Sequence, residues 1–305
     1  MSLMGAHRFR ALIVALGSVF ILASLGPASS GAMAAQPSKL VDIRAAHHPG
    51  YDRIVFEFAG PGPSTVRARW ATDLRLDPSH RRAHVQGFAF LRLRFAWSVA
   101  HKAKPPHAST FGPRRRAFNL PNIAHVVLLG DVEGEVSIGI GLMRKTKILR
   151  TAALRNPSRY VVDVSTRFAK GKVKVFFVDE RAVVDGVPPY VRPVVRKVPL
   201  GLRADGAMLR LYAGPTAAES RRGLRFAASG TTGYRDLWGN SRGITRLTLR
   251  GPCDSGGSAE TTVANQVMPT LRSRPAIDWV KIYDRFGHTG RPWGRSDSIP
   301  GCMEP

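Results

Sequence analysis

From Val41 to about Phe168 the apolar residues recur at every second position. In "DRIVFEF" Ile54, Phe56 and Phe58 share one face, and in "FLRLRFAW" Leu91, Leu93, Phe95 and Trp97 alternate with Arg92, Arg94 and Ala96. A period of two with one polar face marks half-buried antiparallel strands. It predicts an all-β domain of roughly 125 residues, a sandwich or a barrel. "HVVLLGDVEGEVSIGIGL" reads as strand, turn, strand, with Asp131, Glu133 and Glu135 at a charged hairpin tip beside Gly130 and Gly134. "RYVVDVS" closes the run, and no segment in it has helical periodicity. "HKAKPPHASTFGPRRRAFNLPN" has prolines and glycines but no period, which predicts a long surface loop.

The texture changes after "FAKGK", residues 168 to 172. "KVKVFFVD" is a nearly continuous apolar strand of the kind covered on both faces, and "VRPVVRKVP" is another strand. In "GLRADGAMLRLYAGP" Leu202, Met208, Leu211 and Tyr212 fall at helical spacing, stopped by Gly214 and Pro215. Thr216 stands three residues ahead of Glu219, a capping box that starts a second helix. "GITRLTLRG" returns to strand, with Leu247 and Leu249 facing inward. Residues 259 to 273 carry Val263, Val267 and Leu271 on one stripe, predicting a helix capped by Ser258 and bent or split at Pro269. "AIDWVKIYD" is a last core strand. Strands and helices interleave, so the expectation is two domains, an all-β one at 35–168 and an α+β one at 172–305.

The first 34 residues differ from both. Arg8 and Arg10 precede the apolar run "ALIVALGSVFILASLG", and Ala32-Met33-Ala34 makes a small-x-small cleavage site, the pattern of a secretory signal peptide. An uncleaved anchor is the alternative, with membrane contact only in that case; the run is short for a span and is interrupted by Gly17, Gly26 and Pro27. With no cysteine near the cleavage site, a lipoprotein anchor has no attachment point. The two cysteines, Cys253 and Cys302, are expected to pair outside the cytoplasm, closing a loop worth about 4 kcal/mol by loop entropy.

Lys and Arg number 46 against 21 Asp and Glu, a net +25, which becomes +23 without Arg8 and Arg10. Export removes nucleic acid from the candidate partners and leaves anionic envelope polymers or phospholipid headgroups as counter-charge. Arginine outnumbers lysine 36 to 10, which a GC-rich genome would also produce. The basic runs Arg114-Arg115-Arg116 and Arg144-Lys145-Thr146-Lys147 lie in or beside loops, where charges can converge on a polymer or simply be solvated.

One stretch suggests chemistry. In "GPCDSGGSAE" the core Asp254-Ser255-Gly256-Gly257 is like the loop of a nucleophilic serine, which needs an imidazole, a carboxylate and an oxyanion hole. His288 is the one histidine of the second half. Serine, aspartate and glycine are also default residues of turns and helix starts, and this stretch lies between a strand and a helix. His47 and His48 have no partner at metal-ligand spacing, and the acidic hairpin tip lacks the spacing of a calcium loop. No metal and no cofactor is expected.

Residues 172–305 resemble the GerMN domain of spore-germination-type and actinobacterial envelope proteins, through "VKVFFVDE", "VPPYVRPVVRKVP", "LYAGPTAAESRRGL", "LTLRGPCDSGGS", "VANQVMPTL" and "WVKIYDRFG". Residues 35–168 are similar to the AMIN-like β domain of actinobacterial secreted proteins, through "YDRIVFEFAGPGP", "HVVLLGDVEGEVSIGIGL" and "RYVVDV". The second resemblance implies envelope localisation by association with peptidoglycan or neighbouring wall structures. The first implies a cysteine followed by small residues and a second near the C-terminus, mapping to Cys253 and Cys302, and offers no catalytic serine for Ser255.

The expectation is an exported, non-enzymatic cell-envelope protein, extracellular or wall-associated. It would bind peptidoglycan, an anionic wall polymer or an envelope partner in wall assembly or sporulation- or germination-like processes. Its rivals are a secreted serine hydrolase using Ser255 and His288, and an envelope scaffold without a ligand of its own.

Overall fold

In the computed structural model, which describes residues 36–254 and 261–304, the alternating stretches pair as ten strands. These are β1 (Ser38–His48), β2 (Tyr51–Ala59), β3 (Thr65–Ala71), β4 (Ala89–Ala96), β5 (Ser98–Val99), β6 (Arg115–Ala117), β7 (Ile123–Val132), β8 (Glu135–Leu142), β9 (Ile148–Leu154) and β10 (Ser158–Ser165). They form two five-stranded sheets, ordered β5-β1-β2-β10-β9 and β3-β4-β8-β7-β6. Inward residues of both sheets share one core: Ile54, Phe56, Phe58 and Val162 from the first, Leu91, Leu93, Phe95, Ile138 and Ile140 from the second. The architecture is therefore a sandwich. The Phe95 ring centroid lies 5.1 Å from that of Phe56 and 5.2 Å from that of Phe58, so three aromatic rings from two sheets fill its middle.

Two expectations need correction here. Trp97 does not follow Phe95 into the core; it lies past the end of β4 with φ 54° and half of its surface exposed. The chain changes sheets at this residue: the Trp97 carbonyl accepts from Ser38 N–H at 2.9 Å, and β5 then pairs with β1 of the other sheet. The supposed loop at 101–122 contains β6, which completes the edge beside β7. Segment 72–88, between β3 and β4, folds over the outer face of β7 and β8, where Leu74 and Val85 cover Val127 and Leu129. Gly139 and Gly141 make this approach possible. A Cβ on Gly141 would stand 2.0 Å from the Gln86 carbonyl oxygen, and one on Gly139 would stand 2.7 Å from Leu74.

Beyond the sandwich come β11 (Lys170–Asp179), α1 (Glu180–Val184), β12 (Val191–Pro199), α2 (Arg203–Ala213), α3 (Ala217–Arg221), β13 (Leu224–Arg225), β14 (Gly233–Gly239), β15 (Ile244–Arg250), α4 (Val263–Arg272) and β16 (Trp279–Tyr283). Two three-stranded sheets result, β12-β11-β13 and β14-β15-β16, with β15 and β16 parallel. α2 and α4 pack on β11 and on each other, and Val175, Phe177, Met208, Leu211, Leu247, Val267 and Ile282 form a second core. The capping box at Thr216 and Glu219 starts α3 as expected. α4 starts later than expected: its N-cap is Thr262, whose hydroxyl accepts from Ala264 N–H at 3.2 Å, while Asn265 Oδ1 accepts from Thr262 N–H at 2.8 Å. Thr262 therefore takes the role expected of Ser258, which lies outside the described residues, as do Ser255 and the first 34 residues. α4 continues through Pro269 without splitting.

Gln36 to Pro305 forms one compact unit. Ala124 and Met143 of the sandwich belong to the second core, and Ala117 bridges Thr216. Arg210 of α2 is 1% exposed and donates to the carbonyls of Phe118 (2.7 Å), Leu120 (2.5 Å) and Lys197 (3.0 Å). Burial pushes its guanidinium down to about 9, with Arg196 adding to the effect. The Cys253–Cys302 disulfide is formed and packs against the second core.

Candidate functional site

Period-2 alternation puts Arg67 and Arg69 of β3 and Arg92 and Arg94 of β4 on the outer face of the second sheet, because Val66, Ala68, Leu91 and Leu93 turn inward. The register sets Arg67 directly opposite Arg94 and Arg69 directly opposite Arg92. Side chains so opposed start about 5 Å apart at Cβ, and successive pairs lie about 7 Å apart along the strand. Like charges in that relation destabilise a sheet.

Two of the four are partly neutralised. Arg92 pairs with Asp77 and reaches Ser137 Oγ at 3.2 Å, and Arg94 pairs with Glu135 at 3.2 Å. Arg67 and Arg69 are exposed and make no ion pair among the described residues. Charge on an edge strand such as β3 guards against edge-to-edge pairing. That role does not account for Arg92 and Arg94, since β4 lies inside the sheet. What the arrangement offers chemically is a two-by-two array of guanidiniums, each a planar fork matched to phosphate or carboxylate oxygens.

The two basic runs singled out from sequence do not converge. Trp70, Leu91, Ile140, Val126 and Arg116 lie in one cross-strand row. Arg116 is therefore four strand spacings, about 19 Å, from Trp70. Lys145 stands over the Trp70 ring at 5.6 Å, whereas Arg116 turns to the other sheet, donating to the Ile43 carbonyl at 2.6 Å and packing over Phe111. Arg115 donates to the His84 carbonyl at 2.5 Å, while Arg114, Arg144 and Lys147 are exposed. The array on β3 and β4 is legible in sequence only through the matching alternation of "TVRARWA" and "FLRLRFAW", which places Arg67, Arg69, Arg92 and Arg94 at outward positions without saying that the two strands are neighbours.

His288 is mostly exposed and held in its own turn, with Nδ1 3.3 Å from Asp284 Oδ2 and its backbone N–H on Asp284 Oδ1 at 2.8 Å. His47 Nδ1 lies 2.8 Å from Asp52 Oδ1, and His101 Nδ1 lies 2.5 Å from Asp131 Oδ2. Asp131 is thus drawn from the hairpin tip into a structural contact. No group of three or more metal-ligating side chains is gathered among the described residues. A cleft of about 820 Å³ runs between α1, β12 and α3. Of its acids, Asp179 and Glu219 are paired with Arg192 and Arg196 respectively, and Asp185 makes no ion pair among the described residues. Among the described residues no helix is long and apolar enough to cross a membrane.

Residues 38–166 match the family model of the AMIN-like domain, which coincides with the sandwich. No curated protein and no solved structure matches the chain.

Proposed function

We propose that the protein is an exported, non-enzymatic cell-envelope protein whose AMIN-like half lies against an anionic wall polymer along the outer face of β3 and β4. The observation that carries the reading is the cross-strand opposition of Arg67 with Arg94 and of Arg69 with Arg92. A polyanion laid across the array relieves a repulsion that the fold leaves only partly compensated. The AMIN-like match supports an envelope role, because domains of this type generally serve localisation to peptidoglycan or neighbouring wall structures. The signal-like first 34 residues and the disulfide support export to the cell wall or beyond.

In this reading residues 172–305 are an α+β domain of the GerMN type that meets a protein or glycan partner in wall assembly or sporulation- or germination-like events. Its support is the sequence likeness together with the helices and small sheets gathered on one core.

Mature protein is expected to co-sediment with cell-wall sacculi at low salt and to be released as ionic strength rises. The double variant Arg67→Gln/Arg69→Gln should sediment less and show a weaker salt dependence, while Arg114→Gln should sediment almost as the parent does. Equal sedimentation of parent and double variant would remove the array from the reading, and absence of sedimentation at any ionic strength would remove wall binding. The non-enzymatic part has its own check: a fluorophosphonate probe should leave the folded protein unlabelled, and labelling lost on Ser255→Ala would replace this reading with a serine hydrolase.

A further inference from the structure

Where the sandwich meets α2 and β14, segment 73–90 forms one wall of a cavity of about 300 Å³. Phe88 and Leu209 supply apolar lining; of the charged groups around it, Asp73 pairs with Arg75 at 3.1 Å and Asp236 with Arg235 at 3.4 Å, which leaves Asp205, Arg82 and Arg250, with the Tyr234 hydroxyl, as its functional groups. The volume lies at the small end of ligand pockets and suits a molecule of one or two residues.

The charges in it are unusual for this chain. Basic residues outnumber acidic ones more than two to one, and most carboxylates in the described residues have found a basic partner. Asp205 has not. The Tyr234 hydroxyl, with one proton to give, stands 3.2 Å from the Asp205 carboxylate and 3.1 Å from the Asp205 backbone carbonyl, and the carboxylate makes no ion pair among the described residues. Arg82 and Arg250 line the same cavity and likewise make no ion pair among the described residues. Burial pushes the Asp205 carboxyl up, and the Tyr234 hydrogen bond only partly offsets this. His84, on the same wall, has its imidazole pushed down by burial and by Arg115, Arg82, Arg81 and Arg250, which keeps it neutral near pH 7.

A simple anion entering here would be drawn by the guanidiniums and repelled by Asp205, and a simple cation would meet the reverse. A molecule bearing both charges would satisfy both walls. We propose that this cavity binds a zwitterion, a free amino acid or short peptide, with its ammonium on Asp205 and its carboxylate on Arg250. Tyr234 fixes the carboxylate that receives the ammonium, and Phe88 and Leu209 take a small apolar side chain. The site is separate from the β3–β4 array and goes beyond wall-polymer binding.

Calorimetric titration of the mature protein with alanyl-alanine, its N-acetyl form and its C-terminal amide tests the assignment. The free dipeptide should bind at least about tenfold more tightly than either blocked form. Asp205→Asn should abolish discrimination against the N-acetyl form and keep that against the amide, and Arg250→Gln should do the converse. Arg67→Gln/Arg69→Gln should leave all three titrations unchanged, which separates this site from the polymer face. No binding of the free dipeptide, or equal binding of the three ligands by the unaltered protein, overturns the proposal without recourse to any variant at the site.

Discussion

His125 is a fully buried histidine in the strand under segment 72–88, and its environment dictates its charge. Its Nδ1 accepts from the Gln86 backbone N–H at 3.1 Å, so the proton sits on Nε2, which has no partner among the described residues. Burial holds the imidazole well below its usual 6.5, and the nearby Arg115 charge adds to the effect. The unfolded chain takes up a proton as pH falls through about 6.5 while the native chain does not, so this residue's share of stability is full above that pH and lost below it. His84 shifts in the same direction. Thermal unfolding midpoints should therefore fall between about pH 7.5 and about pH 5, and His125→Gln should make the fall shallower. An unchanged slope in the variant would assign the pH dependence elsewhere. From "AHVVLL" this histidine reads as one member of a strand; its burial comes from a loop that is distant in sequence.

At the scale of elements, β8 shows how one stretch can carry two requirements. Ile138, Ile140 and Leu142 fill the sandwich core, as alternation predicts, while Gly139 and Gly141 leave room on the other face for segment 72–88. Alternation identifies the strand but gives no reason for the glycines, because the constraint is the backbone of Gln86 lying on Gly141. Gly141→Ala places a methyl 2.0 Å from that carbonyl oxygen and must displace the segment. The expected loss is on the order of 3 kcal/mol, with earlier proteolytic cleavage within residues 72–88, the segment that supplies Asp77 to Arg92 of the array. Denaturant unfolding and limited proteolysis check both outcomes, and a variant as stable and as protected as the parent would show that the contact yields cheaply. The same distinction holds for α4: its apolar stripe is plain in sequence, whereas the choice of Thr262 as cap depends on Asn265 turning back to the Thr262 N–H.

For the whole molecule, the decisive residue is Arg210, placed by sequence on a helix and by the fold between two cores. Its guanidinium joins carbonyls of the sandwich, Phe118 and Leu120, to that of Lys197 in β12, with no carboxylate paired to it among the described residues. Arg210→Ala would leave three acceptors short of a donor at the junction and is expected to cost on the order of 3 kcal/mol. Differential calorimetry should then show the single unfolding transition broaden or separate into two; a narrow transition at the parental temperature would mean that other contacts hold the halves together. The sequence by itself determined β2, β4, β7, β8 and β10 of the sandwich, the helices α2 and α4 and the disulfide pair, because period, capping and cysteine count are local or compositional signals. Only the tertiary structure decided that Arg67 and Arg69 face Arg94 and Arg92, that the two basic runs stand apart, and that Asp205 and Arg250 share a cavity. Register and juxtaposition depend on which strands become neighbours, and a one-residue slip would put every one of those side chains on the opposite face.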